Sequence, residues 1–173
     1  MAKKVKEYGN DSITQLKGPD QVRLRPAVIF GSDGLDGCEH SVFEIISNSA
    51  DEAREGYGKK IIVTKYTDHS VEVQDFGRGA PVDFNNKEQQ YNYVLLFETL
   101  YAGSKYNTNN GGDYEYSIGL NGLGLASTQF ASEYMDVEIK RDGYKYNLHF
   151  EKGFNIGGLK KEEYSGKDTG TKI

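Results

Sequence analysis

Residues 38–55 constrain the fold of this chain more than any other segment. Their apolar side chains recur at intervals of three and four residues, which is the spacing of one face of an α-helix. These side chains are Val42, Ile46, Ala50 and Ala53. Gly56 and Gly58 follow directly, and glycines in this place are typical of the end of a helix. The pattern therefore predicts an amphipathic helix that packs through this apolar stripe on the core of a folded domain.

The opposite face of the predicted helix is polar. At 100° per residue, Glu44, Asn48 and Asp51 lie within about 60° of one another around the helix axis. A solvated face without function accounts for them, because charged residues at this spacing are common on helices. A catalytic face accounts for them as well. The amide oxygen of Asn48 can bind a hard cation such as Mg²⁺, and Glu44 can orient and deprotonate a water molecule. The helix by itself leaves both interpretations open.

The other hydrophobic patterns predict further helices and two hairpins. The hairpins are indicated by alternating, β-branched segments that are separated by turn residues. The predicted strands cover residues 60–66, 71–75, 134–141, 144–150 and 167–173. The additional predicted helices cover residues 13–24, 91–101 and about 124–131.

Two loops contain glycines at positions that suit a nucleotide. In residues 75–81, Asp75 can accept a hydrogen bond from the exocyclic amine of a base, although a simple strand-ending turn explains the same residues. Residues 119–124 precede a helix, and their backbone amides suit an anion such as a polyphosphate. Neither loop has the strand–glycine–helix order of the Rossmann fingerprint, and the sequence contains no Walker motif.

Length, charge and cysteine content limit the alternatives. The 173 residues fit one domain, which we expect at residues 13–173, with a polar arm at residues 1–12 and a loop at about 102–124 of a length that is usually functional or disordered. The net charge of −5 argues against a domain that grips DNA by itself. Cys38, the single cysteine, excludes internal disulfides and is expected to be a buried apolar residue. No apolar run is long enough to span a membrane, so we expect a soluble, cytoplasmic protein without membrane contact.

The order of four motifs resembles a known nucleotide-binding fold. The motifs, in chain order, are Glu44-x-x-x-Asn48-x-x-Asp51-Glu52-Ala53, Asp75-x-Gly77-x-Gly79-x-Pro81, Gly119-x-x-Gly122-x-Gly124 and Thr169-Gly170-Thr171. Each motif is weak alone, but the four together in this order resemble the Bergerat (GHKL) ATP-binding fold. Gyrase, heat-shock chaperones of that class, histidine kinases and MutL mismatch-repair proteins share this fold.

Flanking residues resemble one branch of that group, the bacterial type II topoisomerase B subunits of gyrase and topoisomerase IV. Residues 22–26, Val-Arg-Leu-Arg-Pro, are similar to the Val-Arg-Lys-Arg-Pro entry of those subunits. Residues 102–106, Ala-Gly-Ser-Lys-Tyr, look like the entry to their lid. Tyr8 matches the arm tyrosine that reaches into the nucleotide site of the partner protomer. The resemblance extends from about Tyr8 to the end of the chain.

This resemblance implies both a fold and a set of roles. The implied fold is of the α+β class, a two-layer sandwich in which helices cover one face of a mixed, mostly antiparallel sheet. Glu44 is implied to be the general base, and Asn48 is implied to bind Mg²⁺. Asp75 is implied to bind the amino group of adenine, with Thr171 beside it through a water molecule.

Other positions of the family pattern are implied to contact ATP. Glu52 and Arg78 are implied to form an ion pair beside the adenine, and residues 119–124 are implied to wrap the phosphates. Arg141 lies where family members contact aminocoumarin inhibitors at the edge of the pocket. The ATP-binding positions carried over are Tyr8, Asn48, Glu52, Asp75, Gly77, Arg78, Gly79, Pro81, Lys105, Gly119, Leu120, Asn121, Gly122, Leu123, Gly124 and Thr171.

The implied activity is Mg²⁺-dependent ATP hydrolysis that drives DNA strand passage in a type II topoisomerase. The implied partners are a second copy of the same protein, in an ATP-dependent dimer, and a topoisomerase A-type subunit and DNA through regions beyond this chain. Two alternatives stay open at this point. One is a histidine-kinase-type catalytic domain, and the other is a nucleotide-binding module without turnover.

Overall fold

The computed structural model describes residues 9–102 and 122–173. A short 3-10 turn, Asn10–Ser12, precedes the first α-helix. The helices are α1 (Asp20–Arg23), α2 (Pro26–Phe30), α3 (Leu35–Arg54), α4 (Asn92–Phe97) and α5 (Gly124–Ala131). The strands are β1 (Ile61–Lys65), β2 (Val71–Asp75), β3 (Phe84–Asn85), β4 (Gln90–Tyr91), β5 (Tyr134–Arg141), β6 (Tyr144–Glu151), β7 (Phe154–Asn155), β8 (Lys160–Glu163) and β9 (Gly170–Lys172).

Seven strands form one sheet in the order β1-β2-β9-β5-β6-β7, with β8 also paired to β6. Each of these pairings is antiparallel, and β3 and β4 form a separate small hairpin. Both predicted hairpins are present, as β1–β2 and β5–β6. The last strand, β9, lies between them and joins them into one sheet. The predicted α+β fold with a mostly antiparallel sheet is thus confirmed.

One face of the sheet is apolar and packs against helices. Along β5 and β6 the buried and the more exposed residues alternate, as they do in a strand with one face on the core. The main core consists of Ile45, Val73, Val82, Phe97, Met135, Val137, Ile139, Tyr146, Leu148 and Phe150. Because Ile45 belongs to α3 and Phe97 to α4, both helices contribute to the core of the sheet. Within the described part of the chain, no helix combines the length and apolar character needed to cross a membrane.

Helix α3 starts earlier than its sequence pattern predicts. It begins at Leu35 and includes Gly37, where a Cβ atom would collide with the carbonyl oxygen of Ser32. The predicted apolar stripe is only half-buried: its Ile46 packs against the core, but the buried apolar side chain of α3 is Ile45. Because α3 packs against α5 as well as against the sheet, its buried arc is wider than one stripe. The other buried α3 residues are Gly37, Ser47, Ser49 and Asp51.

Several local predictions are wrong. The helix predicted at residues 13–24 is reduced to α1, because Gly18 adopts a positive φ of 52° and Pro19 caps the helix start. The helix predicted at residues 91–101 ends at Phe97, and Cys38 is exposed rather than buried. The sequence pattern does not predict β3, β4, β7 or β8, since these strands are two to four residues long and mostly polar.

Gln129 on α5 is an unusual core residue. Its side chain is 1% exposed, and neither amide atom has a hydrogen-bond partner among the described residues. A buried amide without a partner costs about 1–3 kcal/mol. We therefore expect Gln129→Met, a substitution of similar volume, to raise the free energy of unfolding by about 1 kcal/mol, measured by urea denaturation.

The control for this prediction is Gln21→Met on α1, where the side chain is exposed. Exposed substitutions usually change stability by no more than about 0.5 kcal/mol. If Gln129→Met lowered the free energy of unfolding instead, the amide would be forming a stabilising interaction in solution, and our explanation would be wrong.

Candidate functional site

A cleft of about 490 Å³ lies where α3, the start of α5 and the loop after β2 meet. The three residues on the polar face of α3, Glu44, Asn48 and Asp51, all line it. This face therefore borders a cavity, which the solvated-surface interpretation does not explain. Strand β2 adds Val73 and Asp75 to the walls.

Asp75 is held at the end of β2 by three hydrogen bonds. Its Oδ1 accepts from the backbone N–H groups of Gly77 at 3.0 Å and Thr171 at 3.1 Å, and its Oδ2 accepts from the Ser49 hydroxyl at 3.1 Å. The side chain is buried, and burial raises the pKa of its carboxyl above the ordinary value. A carboxylate oxygen accepts more than one hydrogen bond. Oδ2 can therefore also accept from a donor in the cleft.

The loop after β2 is hydrogen-bonded to β9 and to the residue before it. The Thr171 hydroxyl accepts a hydrogen bond from the Ala80 N–H at 3.0 Å, and the Thr169 hydroxyl donates to the carbonyl oxygen of Gly77 at 2.5 Å. Gly170 between them passes so close to Asp75 that a Cβ atom would overlap the Asp75 carbonyl oxygen. The Thr169-Gly170-Thr171 motif thus brings the two segments into contact.

Hydrogen bonds of Asp168 hold the segment just before β9 in place. Asp168 accepts hydrogen bonds from the Lys140 ammonium at 2.9 Å and from the Tyr164 hydroxyl at 2.5 Å. These donors lower the pKa of Asp168 to about 2. Asp168 thus stays ionised at neutral pH, next to the motif that completes the cleft.

Glu52 and Arg78 form a two-point ion pair at the mouth of the cleft. The Nε and Nη2 atoms of Arg78 donate to the two carboxylate oxygens of Glu52 at 2.8 and 2.9 Å. The backbone N–H of Arg78 donates to the same carboxylate at 2.9 Å. Hydrogen bonding from the Arg78 side chain lowers the pKa of the Glu52 carboxyl. Gly77 lies directly above Glu52, because a Cβ atom there would overlap the Glu52 side chain.

Glu44 lies about two turns before Glu52 on α3, beside the start of α5. A Cβ atom on Gly124, the first residue of α5, would overlap the Glu44 carboxylate, so only glycine permits this approach. The Nε2 atom of His40 lies 3.1 Å from Glu44 Oε1, and its Nδ1 atom lies 3.1 Å from the Phe30 carbonyl oxygen. The first turn of a helix has backbone N–H groups without partners inside the helix. The Glu44 carboxylate therefore stands beside a region that attracts anions.

Arg141 lies at the edge of the cleft on β5. Its Nη1 atom donates to the carbonyl oxygen of Gly79 at 2.7 Å, and its Nε atom donates to Asp142 at 3.0 Å. Gly79 has a φ of 78°, and a Cβ atom there would lie 2.6 Å from the Lys140 carbonyl oxygen. The guanidinium of Arg141 is thus engaged with the protein itself.

Most of the residues named from the sequence converge on this cleft. Those that line it are Glu44, Asn48, Glu52, Asp75, Arg78, Gly79, Pro81, Gly122, Leu123, Gly124, Arg141 and Thr171. Gly77 contributes through its hydrogen bond to Asp75. The positions that lie outside the described residues are Tyr8, Lys105, Gly119, Leu120 and Asn121.

Four further residues support the site, and no individual role was predicted for them, although the resemblance covers His40, Tyr57 and Thr169. His40 contacts Glu44, Ser49 contacts Asp75, Tyr57 contacts Arg78, and Thr169 contacts Gly77. The spacing of four residues between His40 and Glu44 is a signal that could have revealed the first contact. The others join residues too far apart for a local pattern to reveal.

Comparison with known proteins identifies relatives of this chain, although no protein-family model matches it. It is 40% identical to the B subunit of DNA gyrase from Thermotoga maritima over 149 residues, which cover 86% of this chain and 23% of that relative. It is 39% identical to the B subunit of DNA topoisomerase 4 from Staphylococcus aureus over 171 residues, which cover 98% of this chain and 25% of that relative. The chain thus spans about a quarter of the length of these relatives.

A solved structure supports the same relationship. The ATP-binding domain of topoisomerase IV from Francisella tularensis, in complex with a small-molecule inhibitor, matches with a TM-score of 0.71 and 35% sequence identity. The match covers 90% of this chain and 39% of the other. Sequence and fold together confirm the resemblance inferred from the four motifs, and this chain is a homologue of the ATP-binding domain of the type II topoisomerase B subunits.

Proposed function

We propose that the cleft binds ATP with Mg²⁺ and hydrolyses it. The single observation that supports this most strongly is the position of Asp75, a buried carboxylate held by three hydrogen bonds in the wall of the cleft. Glu44 and the glycine-led start of α5 lie in the same cleft. One wall thus suits a base with an exocyclic amine, and another suits phosphates.

Recognition of adenine follows from the hydrogen-bonding capacity of Asp75. Its Oδ1 is occupied by two backbone N–H groups, whereas Oδ2 receives only the Ser49 hydroxyl. The 6-amino group of adenine donates and suits an ionised acceptor. Guanine carries a 6-oxo group instead, which the carboxylate would repel. Apolar side chains in the cleft, including Val73 and Leu125, can make van der Waals contacts with the faces of the base.

Magnesium suits this cleft as a cation that is shared with the nucleotide. Asn48 offers one amide oxygen beside Glu44, and the described residues contain no cluster of three or more His, Cys, Asp or Glu that could hold a metal. Mg²⁺ usually keeps several waters and binds substrate phosphates through few protein ligands. When bound, it would offset negative charge on the phosphates.

Hydrolysis requires a base near the terminal phosphate, and we assign that role to Glu44. Its carboxylate takes a proton from water while the water oxygen bonds to the terminal phosphorus. The bond from that phosphorus to the bridging oxygen breaks, and its electron pair stays on ADP. His40 holds the Glu44 carboxylate through the 3.1 Å contact, and the N–H groups that start α5 stabilise the developing negative charge.

The function of the whole protein extends this proposal. We propose that ATP turnover here drives DNA strand passage in a cytoplasmic type II topoisomerase. Its partners would be a second copy of the chain in an ATP-dependent dimer, a topoisomerase A-type subunit and DNA. The net charge of −5 favours DNA contact through regions outside this domain. Residues 1–12 would serve as the arm and residues 13–173 as the ATP-binding domain.

Calorimetry and a phosphate-release assay test this proposal. We expect the purified chain with Mg²⁺ to bind ATP and ADP, and to bind GTP at least about tenfold more weakly, because one unfavourable polar contact costs over 1 kcal/mol. We expect slow hydrolysis whose specific rate rises with protein concentration. The absence of nucleotide binding would exclude the proposal. Binding with no hydrolysis at any concentration would instead support a nucleotide-binding module without turnover.

A further inference from the structure

The turn between α3 and β1 places Tyr57 against Arg78. The guanidinium carbon of Arg78 lies 3.8 Å from the centroid of the Tyr57 ring, which is a close stacking contact. Arg78 lines the cleft, whereas Tyr57 is not among the lining residues and is 44% exposed. Any influence of Tyr57 on a ligand in the cleft would therefore pass through Arg78.

The backbone of the turn fixes this position. Gly56 and Gly58 adopt φ values of 91° and 79°, which favour glycine, and the Tyr57 N–H donates to the Glu52 carbonyl oxygen at 3.1 Å. Gly58 packs on the loop after β2, because a Cβ atom there would lie 2.9 Å from the carbonyl carbon of Phe76. Tyr57 is thus held beside the same loop that carries Arg78.

The Arg78 guanidinium is restrained at its edge and on a face. Glu52 receives two parallel hydrogen bonds from the edge, which fix the direction of the group and its place in the plane. Tyr57 covers a face, which limits tilting of the plane. An arginine side chain has several rotatable bonds, so removal of either restraint would increase the number of conformations that Arg78 samples.

We infer that Tyr57 is a positioning residue for the nucleotide site, which it serves by holding the Arg78 plane in the cleft wall. This inference depends on the proposed binding of ATP. A ligand that meets a fixed Arg78 does not have to order it, so the Tyr57 ring increases affinity through preorganisation. The role belongs to the aromatic face, and the hydroxyl is not required. Chemistry at Glu44, about two helical turns from Glu52 along α3, is independent of it.

The test compares Tyr57→Leu, which removes the aromatic face, with Tyr57→Phe, which keeps it. We expect Tyr57→Leu to weaken ADP binding by about fivefold in calorimetry and to raise KM for ATP by a similar factor, with kcat unchanged. Tyr57→Phe should stay within about twofold of the wild type. Melting temperatures of both variants establish that they are folded.

A double-mutant cycle shows whether Tyr57 acts through Arg78. Arg78→Met removes the guanidinium, and in that background Tyr57→Leu should cause no further loss of ADP affinity. An undiminished effect of Tyr57→Leu in the Arg78→Met background would overturn the inference. So would unchanged ADP affinity of the single Tyr57→Leu variant, or a loss in Tyr57→Phe as large as that in Tyr57→Leu.

The wild-type protein separates this inference from the proposed function. If the wild type binds no adenine nucleotide, the proposed function fails. If the wild type binds ADP and Tyr57→Leu binds it equally well, only the role of Tyr57 fails. Should Tyr57→Leu unfold, Tyr57→Met takes its place as a second variant without an aromatic face, and unchanged ADP affinity of the folded Tyr57→Met variant would overturn the inference.

Discussion

Replacement of Glu44 by glutamine is expected to slow ATP hydrolysis by about 10²-fold or more while nucleotide binding is retained. Glutamine has the same shape, so it can keep the contact with His40 and the close approach of Gly124. It cannot accept a proton from water. Phosphate release under single-turnover conditions, with protein in excess over ATP, measures the chemical step directly. Calorimetry with ADP measures binding in the same variant.

A neighbouring glutamate provides the matched control for this experiment. Glu39 lies on the same helix, is exposed and does not line the cleft. We expect Glu39→Gln to hydrolyse ATP at the wild-type rate. Hydrolysis by Glu44→Gln within a few-fold of the wild type would remove Glu44 as the base. Loss of ADP binding together with hydrolysis would indicate a binding role instead.

Replacement of Asp75 by asparagine is expected to weaken ATP binding by about 10²-fold, measured by calorimetry. If the amide oxygen keeps the hydrogen bonds from Gly77 and Thr171, the amide NH₂ group takes the place of Oδ2. Two donors, that NH₂ group and the amino group of adenine, would then face each other. If the amide is turned the other way, the two backbone N–H groups lose their acceptor. Either orientation leaves buried polar groups unsatisfied.

Inosine triphosphate tests whether Asp75 contacts the amino group of adenine, because its base carries a 6-oxo group in place of the amine. We expect the wild type to prefer ATP strongly over the inosine nucleotide, and D75N to reduce or reverse that preference. Asp68→Asn in the exposed β1–β2 turn is the control and should leave both affinities unchanged. An unaltered ratio of the two affinities in D75N would show that Asp75 does not contact the base.

The raised pKa of Asp75 bears on how D75N is interpreted. Because burial raises the folded-state pKa above the ordinary value, the folded protein binds this proton more tightly than the unfolded chain does. Stability from this group is therefore present at low pH and is lost as the pH rises through the folded-state pKa. Above that pKa the ionised carboxyl is a cost to the fold, so the loss of its charge does not by itself destabilise D75N. The melting temperature of D75N, measured beside that of the wild type, shows whether a loss of binding reflects unfolding.

Elements with a long and regular pattern could be predicted from the sequence. The stripe in residues 38–55 predicted the helix α3 but not the residues that it buries. Alternation predicted β1–β2 and β5–β6, because alternate residues of β2, β5 and β6 are buried. The helix expected at residues 13–24 failed at Gly18-Pro19, where backbone conformation overrode composition. The short strands β3, β4, β7 and β8 have too few residues to show a period.

The candidate site could be predicted as a set of residues but not as a set of contacts. Helical spacing placed Glu44, Asn48 and Asp51 on one face, and the structure puts that face on the cleft. The pairing of Glu52 with Arg78 joins positions 26 residues apart. It was expected only from the family resemblance, since a local pattern extends over one or two helical turns. The stacking of Tyr57 on Arg78 had no signal in the sequence.

The sequence by itself determined which chemical groups are present, the amphipathic helix that carries Glu44, Asn48 and Glu52, and the two hairpins that supply much of the core. Only the tertiary structure decided that these groups meet. Thr171 donates to Asp75 across 96 residues of chain because β9 inserts between β2 and β5. That insertion depends on the packing of the whole sheet, and periodicity within a segment reports the face that is buried but not the partner that buries it.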